Sequence, residues 1–361
     1  MAEKGFFEAV HRELDAKMVP AGKWSLPLCY PGGSVAEHRH TRTRTSIFDR
    51  TGSRCFQISG SDAAKKLDSL FLYPVNSLAI GKVMDDLMLR EDGTIGNFFT
   101  LCRMQQNDFL LLLDRNTAEK DAVLLVEKIS KILDIRELSQ AMAVLTLCGK
   151  NCREVLMQAG AENIPANGSW QMITVKDDEG DEFRCIAVGH DRFGEAGIDL
   201  CFNCENAEEL YGAIYRISGV EPAGMGAWES LRIESGIPAL NSDIRPDMLP
   251  PECGLTVDMS REFFGKAALC KAEIARKIIV LDLERHPAGV GTVVKLPGNI
   301  AAGVVSGGAF CPVSGIARVL CIVDADCPAE NGSVMECEVN GKAVCGTVAG
   351  IAVPEMLCPE A

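Results

Sequence analysis

The chain has no uninterrupted apolar run approaching the roughly 20 residues that span a bilayer, so a membrane protein is not expected. Its first 14 residues mix Glu3, Lys4, Glu8, Arg12 and Glu13 among the apolar ones, a pattern that the hydrophobic stretch of a secretory leader does not tolerate. Export is not expected, and a cytoplasmic location is. Positive charge is in short supply: 36 basic residues stand against 50 acidic ones, for a formal charge of −14. Such a surface repels a polyanion over most of its area, so nucleic acid is not an expected partner. The local exception is Arg39, His40, Arg42 and Arg44, which reads either as a basic patch or as a solvated loop or helix start. Metal-ligand spacing is missing too. The only CxxC, from Cys201 to Cys204, has neither a second such pair nor a His-x3-5-His partner, so no metal is expected.

What the chain does have is 16 cysteines, scattered without regular spacing over 361 residues, and no secretory leader is expected before them. Reduced, mostly buried thiols are the expectation rather than a disulfide framework. A chain of this length exceeds what one core usually serves, so two or three packed units are expected.

Hydrophobic periodicity divides it. From residue 54 to 133 the order reads strand, helix, strands, helix, with a helix over 63–72 and a buried strand over the apolar run 109–113. Val126, Ile129 and Leu133 then recur at helical spacing behind Asn116 or Thr117, either of which suits an N-cap. A similar rhythm returns between 143 and 218. It has strands near 144–147, 185–188 and 198–202, a helix over 152–158, and one helix face at Leu210, Ile214 and Ile217. Two α+β units of similar element order are therefore expected, although no sequence repeat is visible. After a boundary near 265–275 come six short strand-like runs at 278–283, 291–296, 301–305, 316–323, 334–339 and 343–348, separated by turn residues. That spacing indicates a small antiparallel barrel or sandwich. Residues 237–254 contain Pro238, Pro246, Pro250 and Pro251 and must form a loop, of the long kind that often carries function.

Two short segments are candidates for chemistry. Gly194-Glu195-Ala196-Gly197 sits in a turn before a strand, where glycines let the backbone approach a ligand; ordinary hairpins have such glycines as well. Leu231-Arg232-Ile233-Glu234-Ser235-Gly236 reads as a helix ending at glycine, with Arg232 and Glu234 on different faces.

These segments belong to a longer series. Trp24, Pro27 and Tyr30 precede Glu37-His38, Arg42 and Phe48-Asp49. Gly81-Lys82, the Asp92-Gly93-Thr94 turn and Glu119-Lys120-Asp121 follow, then the Gly-Glu-x-Gly and Leu-Arg-x-Glu-x-Gly segments, Asp243-Ile244, the Pro250 to Leu255 run, and Phe264-Gly265-Lys266. Ser306-Gly307 and Pro312 close the series. In order and spacing over nearly the whole chain it resembles the T-protein (aminomethyltransferase) family of the glycine cleavage system. The resemblance implies an α+β fold: a three-domain cloverleaf of two α+β units and a C-terminal antiparallel β-barrel around a central folate channel. On that plan residues 1–50 and 136–265 form the first, folate-binding unit, 51–135 the second, and 270–361 the barrel. It also implies tetrahydrofolate or a 5-substituted folate as cofactor, a lipoylated carrier protein as partner, Glu195 on the pterin N–H groups, and Arg232 holding the site or the ligand.

The sequence departs from that family where the chemistry lies. The family's Asp-Asp pair after the glycine turn is here Ile95-Gly96-Asn97-Phe98, so the second aspartate falls on Phe98 without a gap or on Asn97 with one deletion. Family tyrosines are replaced by Asp85 and by Arg192, which become candidates for folate contact, and the serine-histidine after Phe-Asp is replaced by Arg50-Thr51. Asp85 and Asp86 are either a replacement carboxylate or solvent-facing charges. Three functions remain open: a folate-dependent aminomethyl- or methyltransferase, a folate-binding accessory protein without turnover, and a scaffold. The accessory branch typically bears a Lys-Gly-Cys-x-x-Gly-Gln motif that residues 237–243 lack.

Overall fold

The apolar run near residue 110 is buried on both faces because it forms a central strand. In the computed structural model, which describes residues 3–339 and 341–356, Asp108–Leu113 lies between Ile95–Gln105 and Arg54–Ser59 in a five-stranded sheet flanked by Val83–Leu89 and Asp134–Glu137. Phe109, Leu111 and Leu113 pack on the helices Ala63–Asp68 and Glu119–Ser130 through Leu67, Leu125 and Ile129. The alternate residues Leu110 and Leu112 face the other way and meet Val144, Val188 and Cys201 of a second sheet.

That second, six-stranded sheet runs Ser169–Lys176, Glu182–Gly189, Gly197–Asn203, Met142–Cys148, Thr45–Asp49 and Val220–Ala223. Only its last pair is parallel. The helices Cys152–Gln158 and Ala207–Tyr215 cover its outer face through Val155, Leu156, Leu210 and Ile214. The two sheets therefore pack inner face to inner face, each carrying its helices outside. The third lobe is a closed six-stranded antiparallel barrel ordered Arg276–Leu283, Ile316–Asp324, Ile300–Cys311, Val293–Leu296, Val334–Val339 and Lys342–Ile351. Closure leaves no free sheet edge. The fold is the expected α+β arrangement of two α+β lobes and a C-terminal barrel.

Local departures have local causes. The helix read over 63–72 stops at Asp68, and the chain turns through Ser69 so that Phe71 and Leu72 enter two different cores. Neither Asn116 nor Thr117 caps the helix Glu119–Ser130: its N-cap is Ala118, and the Asn116 N–H instead donates to Asp114 Oδ1 in the preceding turn. The basic residues from Arg39 to Arg44 belong to neither a loop nor a helix start. They lie in the second half and at the end of the helix Ser34–Thr43, where the His40 ring reaches the carbonyls of Thr45 and Gly219. Residues 237–254 contain no helix or strand except the 3-10 turn Pro250–Cys253.

One helix links the lobes. Met225–Glu234 ends at Gly236, whose φ of 71° supplies the left-handed terminus that glycine favours. Its Arg232 donates to Asp243 Oδ2 at 2.7 Å, and Ser306 of the barrel donates to Asp243 Oδ1 at 2.6 Å. Helix, loop and barrel are thus joined at one buried carboxylate.

Candidate functional site

Where the two inner sheet faces diverge, a cavity of about 420 Å³ opens between the lobes. The six-stranded lobe contributes Arg50, Asp199 and the His190 to Phe193 turn, and the five-stranded lobe contributes Asp85 and Phe98. The linking helix and its loop add Trp228, Arg232 and Leu240, and Pro354, Glu355 and Met356 after the barrel close one side. Rings and aliphatic chains form much of the wall, so the charged groups sit in a poorly hydrated setting where their mutual interactions are strong.

Those charges are organised in pairs. Asp199 lies on the strand Gly197–Asn203; it accepts from Arg192 Nη2 at 2.6 Å and from Thr146 Oγ1 at 2.5 Å. Burial pushes its carboxyl up, but Arg192, His190 and Arg50 outweigh that and hold it below the usual aspartate range. Asp85 comes from the facing sheet, accepts from Thr100 Oγ1 at 2.6 Å, and stands 3.0 Å from His190 Nε2. Burial again raises its carboxyl, and His190 and Arg192 again bring it below the ordinary value. The other ring nitrogen of His190, Nδ1, has no hydrogen-bond partner. Arg192 Nε is also without a partner.

Two further groups are set by burial. Arg50 lies 4.1 Å over the Trp228 ring, and burial, followed by repulsion from Arg115 and Arg192, lowers its guanidinium to about 9. It forms no ion pair with a carboxylate among the described residues, yet stays charged at neutral pH. Glu355 accepts from the Phe193 N–H at 2.7 Å, and burial raises its carboxyl despite the nearby Arg192 and His190.

Of the residues singled out in the sequence, Asp85, Arg192, Arg232 and Phe98 line the cavity, and Asn97 and Glu195 do not. Phe98 occupies the cavity-facing position of its strand. Asn97, one residue earlier, points to the opposite side, fully buried, with its amide oxygen accepting from the Met88 N–H at 3.2 Å. Glu195 was expected to look into the hollow. It sits instead on the tight turn from Arg192, with its carboxylate 3.1 Å from Arg42 and its side chain 21% exposed. The inward carboxylate of this segment is Asp199, because the strand's alternation begins only after the turn. Arg232 is bound to Asp243, Glu229 and the Ile237 carbonyl, so its first duty is to hold the helix and loop in place. Asp85 and Asp86 are both buried rather than solvent-facing. Asp86 lies outside the cavity lining and accepts from the backbone of Tyr73 and Leu87.

His190, Asp199, Trp228 and Glu355 escaped the sequence reading, and Arg50 entered it only as a departure from the family. Asp199 left a signal, as the one charge inside the apolar run from Ile198 to Phe202. The others left none, because they meet only through pairing of distant segments. Cys201 is buried and Cys204 half-buried; among the described residues no group of three or more His, Cys, Asp or Glu is placed to hold a metal ion. No helix is long and apolar enough to cross a membrane.

Similar proteins match nearly the whole chain. The aminomethyltransferase of Mycobacterium bovis is 30% identical, covering 94% of each chain. That of Aquifex aeolicus is 27% identical over 94% of this chain and 92% of its own. The crystal structure of glycine cleavage system aminomethyltransferase T from Bartonella henselae superposes with a TM-score of 0.88 over 97% of both chains at 24% identity, a likeness of fold. The family model described as the GCVT N-terminal domain matches residues 7–261, and with these full-length relatives it establishes that the chain belongs to that family.

Proposed function

We propose that the protein is a tetrahydrofolate-dependent one-carbon transferase of the aminomethyltransferase kind, receiving its one-carbon group from a lipoylated carrier protein. The observation that carries this reading is the cavity between the lobes. Its volume lies in the range typical of small-molecule sites, about 300 to 1,000 Å³, and its walls pair flat apolar surfaces with buried polar groups that lack partners. A pterin is a flat ring with an N–H edge, which suits acceptor carboxylates such as Asp199 and Asp85. Arg192 Nε and His190 Nδ1 have no hydrogen-bond partner, and a polar ligand would complete them. The folate's own chemistry is to accept the transferred carbon on an amine nitrogen.

Within that reading the chain's own residues bind and orient. Asp199, fixed by Thr146 and Arg192, and Asp85, fixed by Thr100, hold the polar edge. Phe98 and Trp228 cover the ring faces and exclude water, and Arg50 offers a cation to the ligand's anionic part. Phe98 also favours a second reading, a folate-binding protein without turnover. By the resemblance, the aspartate beside the reacting nitrogen falls on a residue that cannot carry a proton.

Calorimetry of the full chain with tetrahydrofolate, under reducing conditions, is the test. Heat of binding together with product formed from an aminomethyl-loaded lipoyl carrier protein supports the transferase, and heat without product supports the binding protein. An absence of heat removes both.

A further inference from the structure

The cavity contains one buried histidine whose surroundings differ from those of every other histidine packed into the fold. His11 spans Asp49 and Tyr30, His38 spans Glu234 and Ser230, and His40 reaches two carbonyls. Those rings are hydrogen-bonded, as buried polar groups usually are. His190 is 2% exposed, lines the cavity, faces Asp85 through Nε2, and leaves Nδ1 without a hydrogen-bond partner. Leaving a buried ring nitrogen without a partner costs stability, so Nδ1 marks a place where a ligand supplies the missing partner.

Its neighbour gives it direction. Asp85 Oδ2 stands 3.0 Å from His190 Nε2, and Asp85 is itself fixed by Thr100. A carboxylate beside Nε2 favours the tautomer with its proton there and leaves the other nitrogen as an acceptor. The pair is built across the two facing sheets, with His190 just after the strand Glu182–Gly189 and Asp85 on the strand Val83–Leu89. Other groups bear on it from all sides. Asp199 and Glu355 act on the ring, Arg192 and Arg50 act on those carboxylates, and the Cys102 thiol lies near Asp85 and Asp199.

We infer that His190, oriented by Asp85, is the residue that takes up and returns a proton in this cavity, in place of the carboxylate missing at Phe98. The inference rests on the proposal that the cavity binds reduced folate. The acceptor nitrogen of His190 takes the proton that an amine sheds as its bond to the transferred carbon forms. It returns that proton to the leaving group as that group's bond to carbon breaks. One proton enters the ring and one leaves it, and no electrons pass to or from the protein.

The test uses full-length protein labelled with 15N-histidine, the His190 imidazole signals being assigned by their loss in His190→Asn. Saturating tetrahydrofolate shifts those signals, and Asp85→Asn changes the tautomer they report. In the carrier-protein assay His190→Asn lowers kcat about 10² to 10⁴-fold, the usual range for a lost acid or base, with KM little changed. Should His190→Asn fail to fold, Asp85→Asn reads the same pair through a smaller kcat and a displaced pH profile. Heat of folate binding with unmoved His190 signals, or a variant that binds folate and keeps its kcat, overturns this inference alone. No heat with the wild-type protein overturns the folate reading and this inference with it.

Discussion

Phe98 and Asn97 are consecutive residues on one strand that face opposite worlds: Phe98 looks into the cavity, and Asn97 is sealed in the core against Met88. Strand alternation makes this choice, and on the resemblance to the T-protein family we propose that the carboxylate position of that family is held here by Phe98. Phe98→Asp is expected to raise aminomethyl transfer by about 10²-fold, the lower end of what one acid or base contributes. Asn97→Asp places a charge in the core without a cation beside it and is expected to destabilise the protein by about 3 kcal/mol or more. Activity with a lipoylated carrier and urea unfolding separate the two; a gain in Asn97→Asp alone would reverse the assignment.

Arg50 is the second point of leverage. Its guanidinium lies 4.1 Å over Trp228 and has no carboxylate partner among the described residues. A charged hydrogen bond is worth about 1.5 to 3 kcal/mol, so Arg50→Met should weaken tetrahydrofolate about 10- to 100-fold. 6-Methyltetrahydropterin, which has no carboxylate, should be little affected. Equal losses for both ligands would show that Arg50 supports the wall rather than the ligand's anionic part. Quenching of Trp228 fluorescence offers a direct readout.

Asp243 joins three pieces of the molecule through Arg232, Ser306 and the Ala239 N–H. It is completely buried. Asp243→Ala leaves the Arg232 cation without its main partner and is expected to cost about 3 to 5 kcal/mol, seen as a lower urea midpoint. If the midpoint holds while folate affinity falls, Arg232 serves the ligand rather than the fold.

Acid and base should act oppositely on two sets of carboxyls. Asp85 and Asp199 lie below the ordinary 3.8 in the folded state, so their stabilisation is present above that pH and is lost as acid titrates the folded form. Glu355 lies above its ordinary 4.5, so its contribution is present below that pH and is lost as pH rises through the raised value. Glu355→Gln should therefore raise the melting temperature at neutral pH and leave it unchanged below pH 4.5. A lower melting temperature at neutral pH would show that the Glu355 charge is held favourably by Arg192.

The sequence by itself settled the elements and much of the lobe plan. The helix Cys152–Gln158 and the strand Val334–Val339 match the residues read from periodicity, and each of the six C-terminal runs became a barrel strand. Such patterns are local: an alternation of two or a spacing of three and four records which face is buried. The resemblance singled out Asp85, Arg192, Arg232 and Phe98, and all four line the cavity between the lobes. Glu195 does not, because a turn of four residues sends its side chain to Arg42 while Asp199 takes the inward position.

Only the tertiary structure could make that choice, or set His190 beside Asp85 and Arg50 over Trp228. These partners are separated by 105 and 178 positions in the chain, by subtraction of their numbers. They meet because two sheets pack face to face and a helix lies across their opening. Chain periodicity records burial one element at a time, whereas charge pairing across a cavity depends on how elements dock, and no local spacing encodes that distance.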